Sequence, residues 1–421
     1  MIKVGILGVG TVGASVARIL QENADIISAR AGVFIDVKSG VVKNLNKDRG
    51  IDNIILTDNI DDVLEDPEID IVVELMGGVK EPYEAVKKAL QNGKAVVTAN
   101  KALLAYHRYE LQEIAGEKAF EYEASVAGGI PIINALREGL SANHIESIMG
   151  IMNGTTNFML TEMIQNGVDY DTILKKAQDL GYAEADPSFD VGGGDAAHKL
   201  LILASIAYGI DAKPEDILIE GIENITQEDI AFAKEFGYAL KLLGIAKKDK
   251  NEVELRVHSC LIPQNQMIAK IDGVMNGVSV VGDKVGETLY YGPGAGGDAT
   301  ASAVIADIIN IARSGKSSPM LGFDRPMEGK FTLKKVEDIT SKYYLRINVF
   351  DRAGVLAKIT KIFEEHNISI ETILQKTTAD DKANLLISTH IAKEKDIQNL
   401  LQELKTLDFI NHQPVMIRII S

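Results

Sequence analysis

Four carboxylates and one lysine fall within 16 positions, from Glu184 through Asp186, Asp190 and Asp195 to Lys199. Gly181-Tyr182-Ala183-Glu184-Ala185-Asp186-Pro187 opens this run, and a strongly apolar stretch from Ala196 to Tyr208 closes it. If Asp195-Ala-Ala-His-Lys199 is helical, Asp195 and Lys199 stand four residues apart on one face. A carboxylate and an ammonium so placed in a polar pocket can move a proton or orient a charged substrate. The same spacing also serves a solvated helix start with a capping acid and an exposed ion pair. On this motif alone the plainer reading is the stronger; the other motifs reverse the order.

Gly8-Val9-Gly10-Thr11-Val12-Gly13 is a G-x-G-x-x-G run that follows the strand-like Ile2 to Leu7 and opens a helical pattern. That context fits dinucleotide binding, with Gly8 for the tight turn, Gly10 for approach of the pyrophosphate and Gly13 for helix–sheet packing. An ordinary strand–helix turn is the competing reading. At the end of the second strand, Lys43 and Asn44 stand where an NAD-preferring site carries an acid, with Lys47 and Arg49 beyond. Cationic side chains there favour a 2′-phosphate, so NADP(H) is expected over NAD(H), against an exposed basic loop as the alternative.

Three further turns carry polar groups. Thr98-Ala99-Asn100-Lys101 ends a strand of the same sheet, where a lysine faces either cofactor and substrate or solvent. Asn153-Gly154-Thr155-Thr156-Asn157 joins a strand to a helix and offers N–H groups for a carboxylate, or merely a helix cap. Glu121 to Pro131 is a turn after a strand whose carbonyls, beside Glu123, suit a hard cation.

The elements that must hold these groups fall into three sections. The first ~130 residues alternate strand and helix as a doubly wound parallel sheet does. Strands are expected at Ile2–Leu7, Val33–Val42, Ile69–Leu75, Ala95–Ala99 and Phe120–Ala124, with helices at Val12–Gln21 and Glu81–Gln91 and an Ala- and Arg-containing turn before the second strand. From about Pro131 to 320 the alternation gives way to an α+β pattern, with helices at 155–165, 171–180 and 196–208 and strands at 145–151, 255–262, 277–281 and 288–291. Gly292-Pro-Gly-Ala-Gly-Gly297 ends it. The small-residue helix 299–312 then returns to pack on the first domain. The last ~80 residues, from 343, read βαββαβ, a ferredoxin-like order.

Composition narrows the function classes. The net charge of −16 argues against nucleic acid and against anionic membrane surfaces. The single cysteine, Cys260, permits no internal disulfide and reads as a small buried residue. None of the seven histidines has metal-type spacing, and His198 beside Lys199 reads as packing or surface. Ile2 to Leu7 reads as a buried strand rather than a leader, and no run reaches the ~18 apolar residues of a membrane span. A cytoplasmic location is expected.

Together the motifs Gly8–Gly13, Thr98–Lys101, Asn153–Asn157, Gly181–Pro187, Asp190, Asp195–Lys199 and Gly292–Gly297 resemble the homoserine dehydrogenase family over about the first 320 residues. The tail from Tyr343, with Asp351-Arg-Ala-Gly-Val-Leu356, resembles an ACT domain. The resemblance implies reduction of L-aspartate 4-semialdehyde to L-homoserine with NADP(H), NAD(H) being the alternative. It implies Lys199 as proton donor, Lys101 as a second catalytic lysine close to cofactor and substrate, and Asp195, with Asp190 alongside, orienting substrate and Lys199. Glu184 would bind the substrate ammonium, and Asn153, Gly154 and Thr155 its carboxylate. Gly8, Gly10, Thr11, Val12, Gly13, Lys43 and Gly296 would line the cofactor. A sodium ion would sit on the Glu123 side chain and the carbonyls of Val126, Gly128 and Ile130.

The family's second strand usually ends in arginine then aspartate; here it ends Lys43-Asn44, which keeps charge but loses the arginine fork. No aspartate kinase segment is seen, so a monofunctional form is expected: Rossmann domain 1–130, catalytic and dimerisation domain 131–320, and ACT domain 343–421. The assembly is expected to be a homodimer, or a tetramer if ACT modules pair, with an amino-acid effector such as L-threonine. Two competitors remain: another NADP-dependent oxidoreductase, and a non-enzymatic sensor of nucleotide and amino acid.

Overall fold

Ile2–Leu7 (β1), Thr11–Glu22 (α1), Ile35–Val41 (β2), Ile55–Thr57 (β3), Ile71–Glu74 (β4), Ala95–Thr98 (β5), Lys101–Ala115 (α2) and Phe120–Glu121 (β6) build the N-terminal part of a computed structural model that describes residues 1–325, 329–377 and 381–420. The sheet runs β3-β2-β1-β4-β5-β6, and all its neighbours are parallel. Runs such as Ile71-Val-Val and Val96-Val97 are apolar on both sides because both faces of a parallel sheet are covered. Leu7 pairs with both Val41 and Glu74, and Glu74 with Thr98. The carboxyl ends of β2, β1, β4 and β5 therefore lie side by side. Between β1 and β4 the strand order reverses, which is where open α/β sheets hold their ligands.

The chain divides into two compact units: residues 1–154, 195–216 and 274–331 in the first, and 155–194, 217–273 and 332–421 in the second. The first also holds a three-stranded antiparallel sheet of Ile145–Ile151 (β7), Met275–Gly282 (β8) and Gly286–Pro293 (β9). Helix α3, Gly194–Tyr208, is buried along nearly its whole length. Helix α4, Gly297–Ser314, sets Ala301, Val304, Ile305, Ile308 and Ile311 into the same apolar core as Val4, Val16 and Leu20. Each fully buried valine or isoleucine there contributes about 1.5–3 kcal/mol.

In the second unit, six strands lie in the order 238–249, 252–263, 415–419, 340–350, 382–389 and 370–377. The last four and the helices Val355–Glu365 and Glu394–Leu404 follow the expected βαββαβ order. Tyr343, Leu345, Ile359, Phe363, Leu385 and Leu400 are among the residues of their shared core. Positions 378–380 and 421 of this module lie outside the described residues.

Three local expectations change. The turn before β2 contains a helix, Ala24–Ala31, closed by Gly32 at φ +72°. The strand expected at 120–124 is only Phe120–Glu121, because residues 123–125 coil into a 3₁₀ turn whose Glu123 side chain reaches backbone N–H groups. Tyr238–Asp249, not read as a strand from sequence, pairs along its whole length with 252–263.

Candidate active site

Lysine 199 comes to its position by helix geometry. Asp195 and Lys199 lie one turn apart on α3, and the Lys199 Nζ donates to Asp195 Oδ2 at 2.8 Å and to the Met152 carbonyl at 2.6 Å. Lys101, the first residue of α2, brings its Nζ to 2.6 Å from Asp195 Oδ1. Asn153, just past β7, donates its Nδ2 to Asp195 Oδ2 at 2.8 Å. One buried carboxylate thus joins two ammonium groups from distant parts of the sequence. Burial alone would push the Asp195 carboxyl up, but Lys199 and Lys101 outweigh it and hold the carboxyl well below the usual range. The aspartate stays ionised and keeps both lysines aimed. Lys199 is buried, whereas Lys101 keeps 36% of its side chain exposed.

The sequence allowed Asn153 a capping role or a carboxylate; the structure gives its amide to Asp195. His198 is buried rather than on the surface, edge-on to Tyr106 at 5.6 Å, and burial lowers its pKa. Cys260 is buried as expected, its thiol pushed up to about 12.

Lys101 stands at the start of α2, which the sequence reading did not mark as a helix. Asn100 caps it, its Oδ1 accepting from Leu103 N at 3.0 Å. The helix buries Leu103, Leu104, Leu111 and also Arg108, whose guanidinium donates to the carbonyls of Ala105 and Ala212. An asparagine before an apolar-periodic run was the available signal.

The glycine turn fits a dinucleotide. Gly8 has φ +99°, and a Cβ there would meet the Leu75 backbone. A Cβ on Gly13 would strike the Gly8 carbonyl, whereas one on Gly10 would meet nothing within 4 Å. Gly10 is the N-cap of α1 and offers no side-chain cap, so the N–H groups of the first turn, at Thr11, Val12 and Gly13, are available to phosphate oxygens. Gly8 N and Val9 N donate to Val41 O at 3.2 and 3.1 Å, placing the end of β2 beside this turn. Lys43 is exposed just beyond that end. Arg49 fastens the loop that follows, donating to Val9 O at 2.9 Å and Asn44 O at 2.9 Å. Gly296, at φ +120°, caps α4, and the next residue, Gly297, faces Thr11 and Ser15 of α1.

The turn proposed for a cation holds Ala127 and Gly128 at φ +56° and +53°. Each Glu123 carboxylate oxygen already accepts a backbone N–H at 2.8 Å, from Ile133 and Asn134, and burial pushes the group up to about 7. Ile130 O accepts from Ile132 N at 2.8 Å. Buried Glu121, paired with Arg137, and Asp307, accepting from Glu123 N at 2.8 Å, lie beside the turn, and burial raises the pKa of both carboxyls. The Glu123 side chain is more committed to the protein than the sequence suggested. Among the described residues no group of three or more His, Cys, Asp or Glu side chains could hold a metal ion.

In the second unit, Glu184 is exposed in the turn before the short helix Ser188–Val191, and Asp190 is half-buried within that helix. Thr155 Oγ1 donates to Tyr182 O at 2.6 Å, and Gln178 Nε2 to Glu184 O at 3.1 Å, so this acidic loop is tied both to the helix that starts after Asn153 and to the helix Tyr170–Asp179.

A parallel sheet with a phosphate-ready turn, beside a buried lysine–aspartate–lysine group, has the form of a nicotinamide-nucleotide-binding protein. Residues 131–309 match the homoserine dehydrogenase family, residues 8–123 the homoserine dehydrogenase NAD-binding domain, and residues 343–409 the ACT domain. The chain is 56% identical over 419 residues to the homoserine dehydrogenase of Helicobacter pylori, covering 99% of each, and 45% identical to that of Pseudomonas aeruginosa, covering 99% of this chain and 98% of the other. A crystal structure of a homoserine dehydrogenase from Thiobacillus denitrificans superposes with a TM-score of 0.92 at 46% identity, covering 100% of this chain and 98% of that one. The chain belongs to the homoserine dehydrogenase family and is an oxidoreductase. No helix among the described residues is long and apolar enough to cross a membrane.

Proposed function

We propose that this enzyme interconverts L-aspartate 4-semialdehyde and L-homoserine, a step towards threonine and methionine, with NADP(H) preferred over NAD(H). The observation that carries the mechanism is Asp195 held between Lys199 and Lys101. When bound, the nucleotide supplies hydride transfer to the aldehyde carbon. Negative charge then develops on the substrate oxygen, and an ammonium beside it lowers the barrier. Lys199 gives that oxygen its proton, and Lys101 adds a second positive charge near cofactor and substrate. Asp195 keeps both lysines aligned, and with Asp190 it orients the substrate. Glu184 takes the substrate ammonium. Asn153, Gly154 and Thr155, at a helix start, take the α-carboxylate.

Gly8, Gly10, Thr11, Val12, Gly13 and Gly296 cradle the nucleotide, and Lys43 faces its 2′-phosphate. A sodium ion occupies the turn of Glu123, Val126, Gly128 and Ile130. The chain works as a cytoplasmic homodimer, with a tetramer formed if the C-terminal modules pair. We divide it into a cofactor domain 1–130, a catalytic and dimerisation domain 131–320 and a regulatory ACT domain 343–421 that binds an amino acid such as L-threonine. Initial-rate oxidation of L-homoserine with NADP⁺ and NAD⁺, with and without L-threonine, tests this. Faster turnover with NADP⁺ and suppression by threonine are expected. Absence of homoserine-dependent reduction in folded protein with sodium present refutes it.

A further inference from the structure

Glu74 is the last residue of β4, fully buried at the edge where the strand ends converge. Neither the sheet nor the apolar core calls for a carboxylate here: Val72 and Val73 before it are buried and apolar. Burying one is unfavourable unless its oxygens find donors. Here they do. Oε1 accepts from Met76 N at 2.7 Å, and Oε2 accepts from Thr98 Oγ1 at 2.6 Å. Thr98 Oγ1 in turn accepts from Asn100 N at 3.0 Å. Asn100 caps α2 through Leu103 N and anchors to Gly78 O at 2.9 Å through its Nδ2. The residue that follows Asn100 is Lys101, whose Nζ meets Asp195.

We propose that Glu74 is a positioning residue for Lys101, acting through Thr98 and the Asn100 cap to fix the start of α2. Lys101 is the exposed member of the two-lysine group, on a long flexible stem, so its aim depends on where its own backbone is held. The path from Glu74 Oε2 to the Lys101 peptide consists of two hydrogen bonds, one side chain and the cap residue, all buried. Burial pushes Glu74 up to about 7 against the pull of Thr98, Met76 and Asn100, consistent with a group kept for its contacts rather than for its charge. A small displacement of a reacting group lowers turnover steeply while leaving binding nearly intact.

This inference rests on the reading of Lys101 as a catalytic lysine, and the test separates the two. Thr98→Val keeps the shape of the middle link and removes its hydroxyl; Glu74→Gln keeps one acceptor oxygen. Each is made in full-length protein and again in Lys101→Ala. Thr98→Val is expected to lower kcat for homoserine oxidation about tenfold, with KM and NADPH fluorescence quenching changed less than about twofold. Glu74→Gln is expected to lose less. In the Lys101→Ala background either change should alter kcat less than about twofold, because a residue that acts through Lys101 has nothing left to position. Normal kcat in Lys101→Ala alone overturns the reading of Lys101 and this inference with it. Impaired Lys101→Ala, with an unchanged further loss on adding Thr98→Val, overturns the inference alone. If circular dichroism shows Thr98→Val unfolded, Glu74→Gln in the two backgrounds decides by the same comparison.

Discussion

Replacing Asp195 by asparagine should damage both stability and turnover, and the geometry says by how much. Asp195 is 2% exposed and faces Lys199 at 2.8 Å and Lys101 at 2.6 Å. In Asp195→Asn the buried Lys199 ammonium keeps the Met152 carbonyl but loses the Asp195 carboxylate at 2.8 Å. Removing one partner of a buried ion pair typically costs about 3–5 kcal/mol, because the other charge stays uncompensated. Lys101 is part-exposed and recovers hydration, so its share is small, on the order of 1 kcal/mol or less.

The total loss should therefore be about 3–5 kcal/mol, dominated by Lys199. Lys199→Met, which leaves Asp195 paired with Lys101, should cost less. The double variant Asp195→Asn, Lys199→Met should be more stable than the sum of the singles predicts, by about 1–3 kcal/mol. The chain holds no tryptophan, so urea unfolding followed by far-ultraviolet circular dichroism is the suitable assay. Turnover in Asp195→Asn should fall by roughly 10²–10⁴. A loss below about 1 kcal/mol, or additive single and double variants, would refute the claim that Asp195 and Lys199 form a strongly coupled buried pair.

Gly10→Ala leaves the free protein's melting temperature unchanged, because its Cβ enters open space at an ordinary φ of −89°. It raises the NADPH Kd at least about tenfold in fluorescence titration, because that space is where phosphate approaches. Lys43→Ala weakens NADPH more than NADH in the same titration; equal effects on both would remove the 2′-phosphate assignment. Glu74 is raised from 4.5 to about 7 in the folded state. The folded protein thus retains a proton that the unfolded chain has released. This contribution is complete below pH 4.5 and is lost as pH rises through about 7. Between about pH 5.5 and 8, away from the isoelectric point near 5.0, wild type should lose about 2 kcal/mol relative to Glu74→Gln in urea unfolding. Parallel pH profiles for the two proteins would contradict it.

Local features were the legible ones. The Asp195–Lys199 spacing fixes a helical face within five residues, and the glycine turn declares itself by following a strand and opening a helix. The βαββαβ tail shows because its strands alternate and its helices are amphipathic, Val355–Glu365 burying Val355, Ile359, Ile362 and Phe363 on one side. Contacts between distant segments were not legible. Nothing in the sequence pairs Lys101 with Asp195, or the Asn153 amide with that carboxylate. Helix α2 is hard to read from sequence because Tyr106, His107 and Arg108 interrupt its apolar period. Arg108 is nonetheless buried, satisfied by carbonyls that only the folded chain supplies. Glu74 is one acid near the end of the apolar run Ile69–Leu75; its partner Thr98 is brought to it by sheet register, which composition does not reveal.

The most direct test of the central claim is the turnover of Lys199→Ala with L-homoserine and NADP⁺, measured beside NADPH binding to the same preparation. If Lys199 carries the proton to and from the substrate oxygen, kcat falls by orders of magnitude while NADPH still quenches as in wild type. Near-normal kcat in folded, nucleotide-binding Lys199→Ala would contradict the assignment, and with it the account of why Asp195 is buried between two lysines.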